Sequence, residues 1–374
     1  MPPAHRIRAG GAVLRGVLSR LMPFFLPVLL FLSAADARAA AAVSERITLC
    51  LETLIPSLFG CTAAAALLRR SGAAAHIGYR LRRIGRLFRL NAAQTGIFAL
   101  SQIAGYPVGA MLLKQESDAG RVGAAEAASL SAVCYGGGPA FLVGFAGAEL
   151  FGSAAAGWVM LASCLLANCA VLCLRRGNAP PVSSLGPPAC RLSPAVLTAS
   201  VTDAVRSITQ ICGTVLCFGL LTRLPAYLGL LRLLRAVCAA TGLRAQTVSA
   251  LFAALLDVTQ LRGLLCCGLP FYILLPLTAG LLSFGGISVQ MQCLALGVPE
   301  LSARRLCLTR LLTALLTAAL TAAALPLIPV PDTAAVFAHE TAVSRSGSVL
   351  PGVLILCTGF PLLLCPPEQH GAPS

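Results

Sequence analysis

The stretch Ser101-Gln102-Ile103-Ala104-Gly105-Tyr106-Pro107-Val108-Gly109-Ala110 interrupts an otherwise apolar segment with Gly, Pro and Gly in close succession. An uninterrupted membrane helix has no use for that combination, because Pro removes a backbone donor and Gly weakens the helix. A second break comes at Cys134-Tyr135-Gly136-Gly137-Gly138-Pro139-Ala140-Phe141. The theme returns later as Asp257-Val258-Thr259-Gln260 and as Ser283-Phe284-Gly285-Gly286-Ile287-Ser288-Val289-Gln290. Together the four interruptions predict one site held at bilayer depth by the rest of the chain.

Composition fixes the solvent. Of 374 residues 57% are hydrophobic and only 11% charged, and the mean hydropathy is +0.85. Soluble domains carry about 25% charged residues, so the sequence predicts an all-α, polytopic integral membrane protein whose first partner is the lipid bilayer. The net charge of +15 sits in short arginine clusters between apolar runs, the pattern of cytoplasmic loops that set membrane orientation. No aromatic-basic module accompanies it, which argues against nucleic acid. The 16 cysteines lack paired C-x-x-C spacing and the histidines are far apart. Buried reduced thiols fit better than zinc or disulfides, and no cofactor or metal is expected.

The chain divides into a basic cytoplasmic N-terminus (1–20), a first membrane half (21–174), a Pro-rich linker (175–206) and a second membrane half (207–330). An extramembrane loop (331–348) and a last membrane helix with its tail (349–374) complete it. The apolar run 21–35 reads as a first membrane helix, with a signal peptide as the alternative. Segment 47–68 is long enough for a hydrocarbon core, about 33 Å. Arg69, Arg70, Arg80, Arg82, Arg83, Arg86 and Arg89 come after it without an acidic residue and place that loop in the cytoplasm.

Two broken segments (92–113 and 127–150) precede a cleaner helix at 153–174, after which come Arg175 and Arg176. Keeping that pair inside requires one broken segment to cross and the other to be re-entrant; parity leaves open which. In the second half a helix is expected at 208–224, then an interfacial stretch with Arg223, Arg232, Arg235 and Arg244. A helix at 247–261 carries Asp257, a broken region spans 264–296, and Arg304, Arg305 and Arg310 precede a helix at 311–325. The total is about nine to ten membrane segments. Polar interruption and glycine break recur in the same order at similar spacing in both halves, as in the inverted repeats of secondary transporters.

Irregular backbone at bilayer depth survives only when buried in protein or lining a cavity. Half-helix N-termini in such a place favour anions, so amides near Gly105–Gly109 and Gly136–Gly138 are candidate solute ligands. Close helix packing by small residues is the alternative use of those glycines. The substrate-binding candidates are Ser101, Gln102, Gly105, Tyr106, Pro107, Gly109, Gly136, Gly137, Gly138, Asp257, Thr259, Gln260, Ser283, Gly285, Gly286, Ser288 and Gln290. Gln292 is polar at the same depth, but at i, i+2 from Gln290 only one of the two is expected to face a ligand. Asp257 is the strongest intramembrane charge and so a functional candidate; a helix-end carboxylate balanced by Arg262 is its bland alternative. No nucleophile-base pair, phosphate loop or metal cluster emerges, and no enzyme is expected. A homo-oligomer is compatible with all of this.

At these residues the chain resembles the sporulation integral membrane protein YlbJ family, related to proteins with the nucleoside-recognition or Gate domain. The resemblance rests on Leu54-Ile55-Pro56-Ser57-Leu58-Phe59, on Gly105-Tyr106-Pro107-Val108-Gly109-Ala110, on Gly138-Pro139-Ala140-Phe141, and on Leu282-Ser283-Phe284-Gly285-Gly286-Ile287-Ser288-Val289-Gln290. The chain departs from the family pattern where it has Asp257-Val258-Thr259-Gln260 for Glu-Val-Thr and a Gly, and Gly136-Gly137 for Asn-Ser. The resemblance implies a multipass membrane protein, in an endospore former located in a membrane around the forespore, that moves a small polar, anionic metabolite of the dipicolinate kind. A nucleoside-type permease and a non-transporting sporulation scaffold are the alternatives.

Overall fold

A computed structural model describes residues 37–174, 190–221 and 244–328, with a few isolated positions besides. Nearly all of the expected first helix, residues 175–189 of the Pro-rich linker, Arg223, Arg232 and Arg235, the 331–348 loop and the last helix lie outside the described residues. Those described are all helical, without a strand. Three of their helices are long and apolar enough to cross a membrane: Ala154–Cys173, Phe271–Ala295 (interrupted at Gly285) and Ala303–Ala323.

The first described helix starts earlier than expected. α1 (Ala37–Leu49) runs through a wide π-turn (Cys50–Leu54) directly into α2 (Ile55–Arg70). Pro56 supplies the reason. It has no N–H for the carbonyl one turn back, and the wide turn shifts the hydrogen-bond register just before it. Two short helices, α3 (Ala73–Arg80) and α4 (Arg82–Leu87), form a basic elbow after α2.

Both expected broken segments of the first half are present, and they differ in kind. α5 (Ala92–Ala104) starts at a capping box: Asn91 accepts from the Gln94 amide at 2.8 Å, and Gln94 accepts from the Asn91 amide at 2.9 Å. It ends where Gly105 takes φ 78°. The chain then turns back as α6 (Val108–Asp118), which packs against α5. Leu90 and Leu113, near the two ends of this hairpin, bury in one cluster with Leu68 and Leu172. At about 20 Å, α5 is too short to cross a 30 Å core alone. The second segment passes on instead of returning. α7 (Ala124–Ser131) leaves the same cluster at Leu130, and beyond the break a π-helix (Ala140–Leu150) ends at Phe151, which meets Phe271 edge to face at 5.9 Å. α8 (Ala154–Cys173) runs back and returns Val171 and Leu172 to the starting cluster.

The second half repeats this order. α9 (Pro194–Leu221) packs along α2 and starts at Pro194, well before the expected 208. α10 (Ala245–Leu256) ends at Asp257, and a 3-10 turn (Val258–Leu261) and α11 (Arg262–Leu265) fold back beside it. The Gln246 side chain consequently donates to the Cys266 carbonyl at 3.3 Å. α12 (Phe271–Phe284) breaks at Gly285 (φ 79°) and continues as α13 (Gly286–Ala295). α14 (Ala303–Ala323) is capped by Ser302 and packs on α8 and α12. Arg304, Arg305 and Arg310 therefore lie inside that helix and not ahead of it, because Ser302, which accepts from the Arg305 amide at 3.2 Å, sets the start.

Candidate functional site

All four interruptions meet at one cavity. It is small, about 30 Å³, and its lining takes Tyr106 from the first break, Gly137 from the second, Asp257, Val258 and Thr259 from the third, and Ser288 with Val289 from the fourth. Leu54 of the π-turn, Leu58 of α2, and Ile211 and Val215 of α9 also line it; Phe141 and Gln292 complete the wall. Mostly apolar walls with a few convergent polar groups are the usual make-up of a small-molecule site.

Asp257 is fully buried at the tip of the second hairpin. Leaving the α10 helix, its backbone is extended (φ −143°, ψ 118°), so the carboxylate caps the 3-10 turn. It accepts from the Thr259 amide at 3.1 Å, the Thr259 hydroxyl at 2.8 Å and the Ser288 hydroxyl at 3.4 Å. Arg46 of α1, itself buried, donates to the Thr259 hydroxyl at 2.8 Å. A hydroxyl has one proton, so Thr259 accepts from the cation and donates to the anion, passing polarisation between them. The balancing cation is thus Arg46. Arg262 instead faces Glu149 at 3.7 Å, where both side chains are about half exposed.

Behind the cavity lies a second polar cluster around Arg310, which is completely buried. Its Nε and Nη2 donate to the Ser283 carbonyl at 3.2 and 2.6 Å, and Nη2 also reaches the Ser283 hydroxyl at 3.0 Å. Nη1 donates to the Ala132 carbonyl and to Asn168 Oδ1, both at 2.9 Å. The five guanidinium N–H groups are all taken, and the Tyr135 ring lies 4.5 Å away under the cation. Asn168 extends the cluster to Gln102 Oε1 and the Tyr135 carbonyl, each at 3.0 Å. Arg310 therefore ties the break after α7 to the break after α12, and has no donor left for a solute.

The sequence-predicted residues sort into three groups. Tyr106, Gly137, Asp257, Thr259 and Ser288 line the cavity. Ser101, Gln102, Gly136, Ser283 and Gln290 belong to the packing behind it. Gln102 donates to the Ser101 hydroxyl and the Val133 carbonyl, Gln290 donates to the Phe284 carbonyl, and Gly136 leaves room for Gln102 and Asn168. Of the i, i+2 glutamines, Gln292 is the one that faces the cavity. Gly105, Gly109, Gly138 and Gly286 allow backbones to approach closely, and Gly285 makes room for the Tyr135 side chain. A Cβ on Gly109 would overlap the Cys134 carbonyl oxygen, and one on Gly285 would overlap the Tyr135 hydroxyl. Pro107 is buried at the start of α6, and Gln260 is half-buried away from the lining.

The amides proposed for an anion are engaged at the first break. Gly105 donates to Ser101 at 3.1 Å, Tyr106 to the Gly136 carbonyl at 2.7 Å and Val108 to Gly105 at 3.1 Å. At the start of α13 the Ser288 hydroxyl meets a negative charge already, the carboxylate of Asp257. Sequence reasoning missed Arg46, Asn168 and Arg310. A signal existed for the last. Arg310, Thr313, Thr317 and Thr321 recur at three- and four-residue spacing and are all completely buried, a polar stripe on an apolar helix.

No protein-family model, curated protein or solved structure matches the chain.

Proposed function

We propose that the chain is a multipass carrier that moves a small polar solute through this cavity by alternating access. One observation carries the reading: four separate helix interruptions, two in each half, supply the lining of a single cavity. The two halves are read as an inverted repeat. In each, a hairpin whose tip reaches the cavity (α5–α6; α10–α11) precedes a broken crossing segment (α7 and the π-helix; α12–α13) and a straight helix (α8; α14). The first hairpin opens from the end that holds Arg69, the second from the end that holds Arg262. The first broken segment is then the re-entrant one, and with the first and last segments expected from the sequence the membrane segments number about nine to ten, re-entrant hairpins included. Contacts joining the halves flank the cavity at both ends. Asp203 of α9 binds Arg69 at 2.9 Å and Arg70 at 2.7 Å, and Glu149 faces Arg262 at the other end.

The lining favours a neutral, flat solute with hydrogen-bond donors, of the nucleoside type. Asp257 offers acceptors, Gln292 and Ser288 offer both functions, and Tyr106 and Phe141 offer aromatic faces. The Tyr106 hydroxyl is buried without a partner among the described residues, and a solute acceptor or donor there would satisfy it. A dipicolinate-like anion is the second reading, favoured by the buried Arg46 beside the cavity. Uptake into proteoliposomes decides between them. Labelled uridine entering faster than labelled dipicolinate supports the first, the reverse order supports the second, and no uptake of either leaves the sporulation scaffold standing.

A further inference from the structure

The basic elbow α3–α4 is held to the protein by glycines. Gly78 lies in α3 and Gly85 in α4, and a Cβ on the first would overlap the Ala92 carbonyl oxygen, on the second the Thr95 hydroxyl. Gly96 of α5 presses back on the Ala74 carbonyl in the same way. Ile77 and Phe88 fill the inner cluster, so the inward apolar face of the elbow is already spent. The outward face nevertheless carries further apolar side chains, Ile84 (54% exposed) and Leu87 (77% exposed). Around them Arg80, Arg83 and Arg86 are exposed, and Arg82 lies over the Tyr79 ring at 4.1 Å. The sequence from 69 to 91 contains no carboxylate.

We infer that this face is a docking surface for the headgroup layer of acidic phospholipids in the bilayer around the protein. A solvated loop gains nothing from exposing Ile84 and Leu87 among arginines. At a membrane surface the two apolar side chains enter the acyl boundary while guanidinium groups bind phosphate oxygens in pairs. The close glycine contacts hold the face in one orientation, so it reads the lipid as a preformed surface. They also join it to α5, whose far end is the Gly105 break beside the cavity, which gives lipid composition a route to the site.

The inference rests on the membrane reading of the chain, and the test separates the two. Full-length protein is reconstituted into phosphatidylcholine vesicles with and without phosphatidylglycerol, and insertion is scored by resistance to alkaline washing. Thermal unfolding is then measured in mixed micelles as phosphatidylglycerol is titrated. The expected result is full insertion in both lipids, with a midpoint that rises with phosphatidylglycerol and falls back in about 0.5 M salt, where screening is nearly complete. The triple variant R80Q/R83Q/R86Q should need on the order of tenfold more acidic lipid for the same rise. Inorganic phosphate should not replace the lipid. Insertion without any effect of phosphatidylglycerol on the wild-type midpoint overturns the surface; failure to insert overturns the membrane reading instead. The salt reversal is read on the wild type and stands even where the triple variant does not fold.

Discussion

Two buried arginines, Arg310 completely and Arg46 nearly so, are used in different ways. Arg310 has every N–H on a neutral acceptor and a ring beneath it. Arg46 meets a hydroxyl that in turn serves a carboxylate, at the wall of a cavity. A fully satisfied cation fixes geometry, since any movement strands several carbonyls at once. A cation that reaches its counter-charge through a shared hydroxyl can be displaced by a solute that satisfies the same groups. Arg310 ties the break after α7 to the break after α12, and Arg46 places a cation at the cavity wall.

Substitutions separate them, and the largest effect belongs to Arg310. Arg310→Leu leaves the Ser283 and Ala132 carbonyls and Asn168 Oδ1 unpaired in the interior, a loss of about 1–3 kcal/mol for each buried group left unsatisfied. Little folded protein should survive detergent extraction, as monitored by size-exclusion chromatography; a variant that folds and transports normally would remove that tie. Asp257→Asn comes next. It keeps the shape but removes the negative charge that balances Arg46, so uptake should fall at least about tenfold, equivalent to about 1.4 kcal/mol, while the protein still folds. Unchanged uptake would show that the cavity is not the path. Tyr106→Phe removes only the unpartnered hydroxyl. It should raise the half-saturating solute concentration by about tenfold without lowering thermal stability, because no protein hydrogen bond is lost. Smallest of all, Asp203→Asn weakens the contact with Arg69 and Arg70, worth about 0.2–1 kcal/mol for a partly exposed group. Its effect should appear in transport rate and not in folding yield, and an equal loss of both would make the contact merely structural.

The same contrast marks how far the sequence alone can be read. The four breaks are legible because Gly and Pro in an apolar context have a local cause, and their convergence is required once freed backbone must be enclosed. Asp257 stands out because a charge at depth is costly. Its partner does not, since Arg46 lies far back in the chain and nothing local joins it to Thr259. Arg310 is hidden by its neighbours: Arg304 and Arg305 make it look like part of a surface cluster, and only the threonine spacing beyond it marks a buried face. That α5 and α6 pack on each other while α7 leads on to the π-helix is a tertiary fact that charge counting does not reach.

The π-turn at Cys50–Leu54 gives the site an adjustable joint. Arg46 lies on one side of it and the cavity-lining Leu54 and Leu58 at its end and beyond, within a single continuous helix. A wide turn holds one more residue than an α-turn. Relaxing it to the α-helical register would swing α1 by about 100° and about 1.5 Å relative to α2. Arg46 would leave Thr259 while Leu54 and Leu58 kept their places. The wide turn thus places one residue of slack between Arg46 and the cavity-lining Leu54 and Leu58.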